Sequence, residues 1–241
     1  MSAAEDIAVQ REEAGLLKLE AARVPLDPRY GEFATLSLHL EAGDLVLLDP
    51  GRVAVGSALA DAASGLHPAT AGEIRFLGRS WEGLAPDAAN ALRGRIGRVF
   101  ARGGWLEHFS VLQNILLQQL HHTRRDRELL LLEATRLSRR LGLPGLPAGF
   151  PHEHTEAELR RAGCVRAFLG RPALIILEEP IGPAGELLTP LLNLLLSALS
   201  RGAAVLWLTS VAAVLRDPSI PAASRHRLIG GRLLAMTEAA G

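Results

Sequence analysis

Residues 45–73 read LVLLDPGRVAVGSALADAASGLHPATAGE. Leu45–Leu48 is a continuous apolar run, the pattern of a strand buried on both faces. Pro50 and Gly51 interrupt it, an alanine-rich stretch with helical spacing follows, and Gly65 and Pro68 mark where that helix ends. Strand, glycine-bearing loop and helix in this order are the layout of a phosphate-binding loop, where backbone N–H groups and a helix N-terminus cradle a nucleotide's phosphates. The working pattern G-x-x-x-x-G-K-[ST] is nevertheless absent. With Ser57 as the hydroxyl position, Gly56 occupies the lysine slot, and Val53 and Val55 hold the preceding glycine slots.

On either side, strands and helices alternate. Residues 16–24 (LLKLEAARV) and 34–40 (ATLSLHL) have the period of strands, separated by Asp27, Pro28 and Gly31. Short strands are expected over 72–77 and 95–101, and helical patterns over 111–143. Thr155-Glu156-Ala157-Glu158 is a capping box that starts a helix running to about 169. The most apolar strand, Ala173–Leu177, ends in Glu178-Glu179-Pro180, followed by a buried helix over 187–199 and a strand over 203–209. A terminal strand pair over 227–236 turns at Gly230-Gly231. Near-continuous apolar strands alternating with helices predict a parallel sheet covered on both faces. In it, Leu45–Leu48 and Ala173–Leu177 are expected as neighbours.

The 241-residue chain is 48% apolar but only 4% aromatic, so Leu, Ala and Val must fill its core. Its formal net charge is zero, which disfavours non-specific nucleic-acid binding because no global basic field exists to release counterions. The arginines between 124 and 140 alternate with Asp126, Glu128 and Glu133 and read as a salt-bridged, solvated face. Lys18 is the only lysine, so no other lysine stands in for the one missing from the loop. Cys164 is the single cysteine and reads as a buried, inert thiol. Residues 1–14 do not read as a signal peptide, and the longest apolar run is too short to span a bilayer. His121-His122 and the pair His152, His154 lack carboxylates or cysteines at ligand spacing and read as surface histidines. Ser57 and Ser210 show no nucleophile-elbow signature.

From about Leu16 to Met236 the chain resembles the nucleotide-binding subunits of ATP-binding cassette (ABC) transporters. The resemblance is carried by Phe150-Pro151-His152-Glu153, Val165-Arg166-Ala167 and Arg171–Pro180, with Leu36–Asp44 and Ala71–Ile74 flanking the loop. It implies an α/β fold: a P-loop NTPase-like core with a mostly parallel sheet, an N-terminal antiparallel β subdomain and an inserted α-helical subdomain at about 102–168. Residues 1–15 would be a polar tail and 16–241 a single ABC ATPase-like domain. Within the family, Val99–Leu106 through Val111–Asn114 is similar to the ATPases that power phospholipid trafficking with mammalian-cell-entry type proteins in Gram-negative envelopes.

Carried over residue by residue, the resemblance implies a degenerate site. Gly51, Gly56 and Ser57 would be the nucleotide-binding remnant, without the lysine. Glu178 falls on the magnesium-holding acid and Glu179 on the glutamate that activates water, both as remnants. Ala101 replaces the γ-phosphate-sensing glutamine, and Ser210 the switch histidine. The signature motif falls on His154–Glu158, where Thr155 and Glu156 depart from it. Glu156 would place a carboxylate where a partner's phosphate should rest, a like-charge contact worth several kcal/mol if unscreened. Tyr30 is a candidate adenine-stacking aromatic whose register is not fixed. These losses imply a pseudo-ATPase with no cofactor expected, acting as a structural or regulatory transporter component. Two alternatives stay open: a slow ATPase relying on Glu179 with Arg52 in place of the lysine, which would take ATP and magnesium, and an adaptor unconnected with transport. The implied partners are a membrane permease, contacted through Gly103, Gly104, Trp105 and Leu106, and a second cassette in a homodimer or heterodimer, with no nucleic acid. The implied place is cytoplasmic, peripheral on the inner face of the cytoplasmic membrane.

Overall fold

The structure, a computed structural model, describes residues 15–27, 31–102, 104–182 and 185–236. The described strands form one ten-stranded sheet in the order β5-β4-β1-β2-β10-β9-β3-β8-β7-β6. Its parallel part comprises β9 (Ser224–Ile229), β3 (Leu45–Asp49), β8 (Ala204–Leu208), β7 (Leu174–Glu178) and β6 (Ile96–Val99). Its antiparallel part comprises β1 (Leu17–Asp27), β2 (Glu32–Leu40), β4 (Glu73–Phe76) and β5 (Arg79–Ser80). The hairpin of β9 with β10 (Arg232–Ala235) joins the two parts, through one parallel pairing of Arg232 with Thr35.

Two-residue periodicity explains why the central strands read as unbroken apolar runs. Successive side chains point to opposite faces, and here both faces are covered. Leu45 and Leu47 of β3, Ile175 and Leu177 of β7, and Val205 and Trp207 of β8 enter one core. There they meet α3 (Val111–His122), α5 (Glu156–Phe168) and α6 (Leu188–Leu199). Their alternates Val46, Leu48, Ile176 and Leu206 enter the other core, with Val55 and Leu59 of α1 (Val53–Ala63) and the β1/β2 strands. The remaining helices are α2 (Pro86–Arg93), α4 (Arg127–Arg140) and the short α7 (Ala212–Arg216). The inserted helical region lies between β6 and β7, as expected, and packs α3 and α4 on α5.

One expectation fails. β3 and β7 share the sheet but are not neighbours, because β8 pairs with both of them. Apolar runs of equal length carry no information on their order in a sheet. The consequence is functional: with strands about 4.8 Å apart, the ends of β3 and β7 stand about 10 Å from each other. That leaves a crevice at the carboxyl ends of the parallel strands, where α/β sheets take their ligands.

Trp207 is fully buried at the middle of this sheet. Truncating Trp207 to alanine is expected to cost about 3–5 kcal/mol in urea unfolding, and Trp207→Phe far less, about 1.5 kcal/mol or below.

Candidate functional site

The crevice is framed by the loop after β3, the N-terminus of α1 and the ends of β7 and β8. Gly51 adopts φ +71°, a left-handed conformation that costs glycine little, and so turns the chain from strand into helix. Helix α1 starts at Val53 with no side-chain cap on its first turn and no acid in that turn. Its leading N–H groups therefore keep the positive end of the helix open to an anion. Gly56 lies inside the helix, its N–H donating to the Arg52 carbonyl at 3.1 Å. A Cβ on Gly56 would meet Pro50 Cγ at 3.2 Å, so the lysine slot and the preceding proline are packed against each other. Arg52 is exposed and paired with Glu32. Asp49 accepts the Gly51 N–H at 2.9 Å and Arg227 Nε at 2.8 Å, which braces the loop from beneath.

The two acids at the end of β7 are held differently. Glu178 is 2% exposed, and both of its carboxylate oxygens are engaged. Its Oε2 accepts the Ser57 hydroxyl at 2.6 Å, and its Oε1 accepts Arg98 Nε at 2.6 Å. Arg98 also donates through Nη1 to Asp61 Oδ1 at 2.5 Å. Glu179 sits at φ +43°, unusual for a residue with a side chain and costing on the order of 1–3 kcal/mol. Its carboxylate accepts the Thr209 hydroxyl and the Ser210 N–H, each at 2.7 Å. Ser210, expected at the switch position, contributes its backbone and ties the end of β8 to that of β7.

Where the signature motif is expected, the Thr155 hydroxyl accepts the Glu158 N–H at 3.2 Å, and Glu158 Oε2 accepts the Thr155 N–H at 2.9 Å. The capping box read from sequence is present: it engages the N–H groups of Thr155 and Glu158 with side chains from the same turn. Hydrogen bonds from the Thr155 backbone and hydroxyl hold the Glu158 carboxyl below its ordinary range. Glu156 is paired with Arg160 and its side chain is 85% exposed. The several-kcal/mol repulsion expected of Glu156 therefore shrinks, since a neighbouring cation and solvent both screen it.

Ala101, Glu156 and Glu179 line one cleft of about 330 Å³, together with Trp105 and Arg160. The structure thus brings together the residues expected at the sensing, signature and water-activating positions. Next to it lies a wider groove of about 500 Å³ lined by Phe100, Gly104, Leu106, Leu117 and Arg166. Arg166 donates to the Gly104 carbonyl at 2.8 Å and lies over the rings of Phe100 and Trp105, and burial pushes it down to about 10. Of the expected permease-contact residues, Gly104 and Leu106 line this groove and Trp105 the adjoining cleft, while Gly103 lies outside the described residues, as does Tyr30. The rings of His121 and His122, weighed as metal ligands, meet edge to face at 4.6 Å along the groove.

Sequence reading missed Arg98 and Asp61. A signal for Arg98 was present: an arginine inside the buried strand Ile96-Gly97-Arg98-Val99 must find a charged partner.

No family model matches the chain. Among curated proteins, it is 26% identical over 184 residues to the glutamate/aspartate import ATP-binding protein GltL of Escherichia coli K12, covering 75% of this chain and 76% of that one. It is 28% identical over 202 residues to the lipoprotein-releasing system ATP-binding protein LolD of Bordetella avium, covering 83% and 86%. Identity is 30% over 143 residues with the octopine permease ATP-binding protein P of Rhizobium meliloti, a match spanning 59% of this chain and 55% of that relative. In structure, the dimeric post-hydrolysis state of the ATP-binding cassette MJ0796 bound to ADP and Pi superposes with a TM-score of 0.75, at 18% identity and over 92% of this chain and 99% of that one. This chain has the fold of the ATP-binding cassettes it superposes on. Its sequence likeness is to ATP-binding subunits of ABC transporters. The expectation that no cofactor applies is overturned by the same comparisons, since the similar proteins are ATP-binding subunits and the superposed cassette holds ADP and Pi. The physical reason lies at α1: losing side chains does not remove the backbone donors at its N-terminus, which carry no side-chain cap.

Two measurements check the site. Replacing Thr155 with valine is expected to raise the Glu158 pKa toward that of a free carboxylate in an NMR titration, because both donors at the cap are weakened. The cap's contribution in the native protein is present above the ordinary glutamate pKa, and it fades as pH falls through the lowered folded-state value. The Cys164 thiol is pushed up to about 12 by burial, so iodoacetamide at pH 8 should leave it unmodified in folded protein and alkylate it after unfolding.

Proposed function

We propose that this chain is the cassette subunit of an ABC-type transport assembly, taking ATP at the N-terminus of α1 but hydrolysing it slowly or not at all. Its role in the assembly is then structural or regulatory. The observation that carries the reading is the state of the β7 end. Glu178, at the magnesium position, has both oxygens occupied by Arg98 and Ser57, and no lysine faces the loop. Losing that lysine removes a charge-assisted hydrogen bond worth about 1.5–3 kcal/mol. Ala101 supplies no donor or acceptor from its side chain to a reacting water or metal, and Ser210 replaces a group able to shuttle a proton. What remains to bind nucleotide is Gly51, the open first turn of α1 and Ser57. Bound magnesium would supply charge neutralisation at the phosphates.

The groove beside Phe100 and Leu106 fits a membrane permease segment, and the dimeric structures of MJ0796 support pairing with a second cassette. The similarity of Val99–Asn114 to phospholipid-trafficking ATPases makes a lipid the cargo we assign, in a Gram-negative envelope with the chain at the inner face of the cytoplasmic membrane. A second reading, genuine but slow hydrolysis, is favoured by one feature: Glu179 is kept in a strained backbone, facing the cleft it shares with Ala101.

ATP binding by calorimetry and phosphate release on the purified protein decide between these. Binding is expected to be measurable, with turnover at least about a hundredfold below the 1–10³ per second usual for enzymes. Glu179→Gln is expected to leave the residual rate unchanged. A rate that falls to background in that variant establishes the second reading, and ordinary turnover in the wild type refutes the first.

A further inference from the structure

Arg98 projects from β6 into the space between α1 and β7, and it is 7% exposed. Five oxygen atoms of three residues gather there. Glu178 Oε1 and Asp61 Oδ1 accept from its guanidinium at 2.6 and 2.5 Å, and the Ser57 carbonyl lies 3.4 Å from Nη2. The Ser57 hydroxyl closes the set by donating to the second oxygen of Glu178 at 2.6 Å. Two carboxylates, a carbonyl and a hydroxyl are the oxygen donors that a hard divalent cation takes. The ring of Phe100 supports the guanidinium from 4.5 Å.

We propose that Arg98 is a built-in cation that competes with a divalent metal for the Glu178 carboxylate. The same lone pairs serve both, so a metal reaches Glu178 only when the guanidinium leaves Oε1 and the Ser57 hydroxyl turns away from Oε2. The arrangement offers a way for this to happen. Asp61 is 28% exposed at its side chain against 3% for Glu178, so Arg98 can stay anchored on Asp61, nearer solvent, while releasing the deeper acid. Arg98 is then a positioning residue: it sets how much metal the cassette needs before nucleotide sees a free Glu178. The proposal rests on the cassette reading only where nucleotide is concerned. The competition for Glu178 belongs to the nucleotide-free protein as well.

The test is a manganese titration followed by electron paramagnetic resonance, on nucleotide-free wild type, Arg98→Leu and the double variant Arg98→Leu/Glu178→Gln. Arg98→Leu is expected to bind Mn²⁺ at least about tenfold more tightly than wild type, and the double variant to lose that gain. Equal affinity in wild type and Arg98→Leu overturns the proposal, as does a gain that survives in the double variant. If Arg98→Leu does not fold, Arg98→Lys replaces it under the same criteria, because a single ammonium cannot match the two-pronged hold on Asp61 and Glu178. ATP titrations of the same proteins in EDTA and in Mg²⁺ separate the two ideas. Failure of every variant to bind ATP refutes the nucleotide part of the proposed function and leaves the manganese comparison to judge Arg98.

Discussion

A guanidinium and a carboxylate sealed together beneath a helix set the terms for the rest of this molecule. Glu178 ends a strand whose other members are wholly apolar, and a carboxylate there cannot remain charged without a partner. Arg98, itself on a buried strand, has the same difficulty. Their pairing, extended to Asp61 and Ser57, ties β6, β7 and α1 into one unit at the mouth of the crevice. Buried pairs of this kind seldom add much net stability, because desolvation offsets the attraction. Removing one member is another matter and costs about 3–5 kcal/mol, since it strands the other charge. The pair therefore acts less as glue than as a constraint: neither residue can change alone, and α1 cannot shift without unsettling both.

The fold was legible for a reason that can be stated element by element. β3, β7 and β8 are buried on both faces, so their sequences are apolar at every position, and that signature survives any loss of chemistry in the loops. The capping box at Thr155 was legible because a local hydrogen-bond motif needs only local sequence. Strand order was not, since β8 enters between β3 and β7 for reasons of connection rather than composition. Nor was α7, a single short helix without a side-chain cap. At the site, the sequence marked each position where a familiar side chain was missing. It did not reveal what had taken that side chain's place. Arg98 and Glu178 stand 80 residues apart, and only the parallel pairing of β6 with β7 makes them partners.

That difference between loss and replacement changes how the site is understood. Glu156 illustrates it: in isolation it is a repulsive charge, whereas in place it is exposed and neutralised by Arg160 one helical turn away. The N-terminus of α5 likewise carries a side-chain cap, in which Thr155 and Glu158 exchange hydrogen bonds. By contrast, the N-terminus of α1 has no such internal stopper. The two helix ends thus differ, one carrying a side-chain cap and the other none.

Local compensation also makes the alteration hard to reverse. Restoring a lysine at position 56 would place a Cβ 3.2 Å from Pro50 Cγ, on a helix already closed at that residue by the Arg52 carbonyl. Pro50, whose ring holds its φ near −65°, would have to give by a few tenths of an ångström to admit that Cβ. Shortening Glu178 to aspartate would pull its carboxylate back by a methylene from both Arg98 and Ser57, weakening two good hydrogen bonds and leaving Arg98 held by Asp61. Under the function proposed above, both changes toward an ordinary site disturb contacts that the present protein makes.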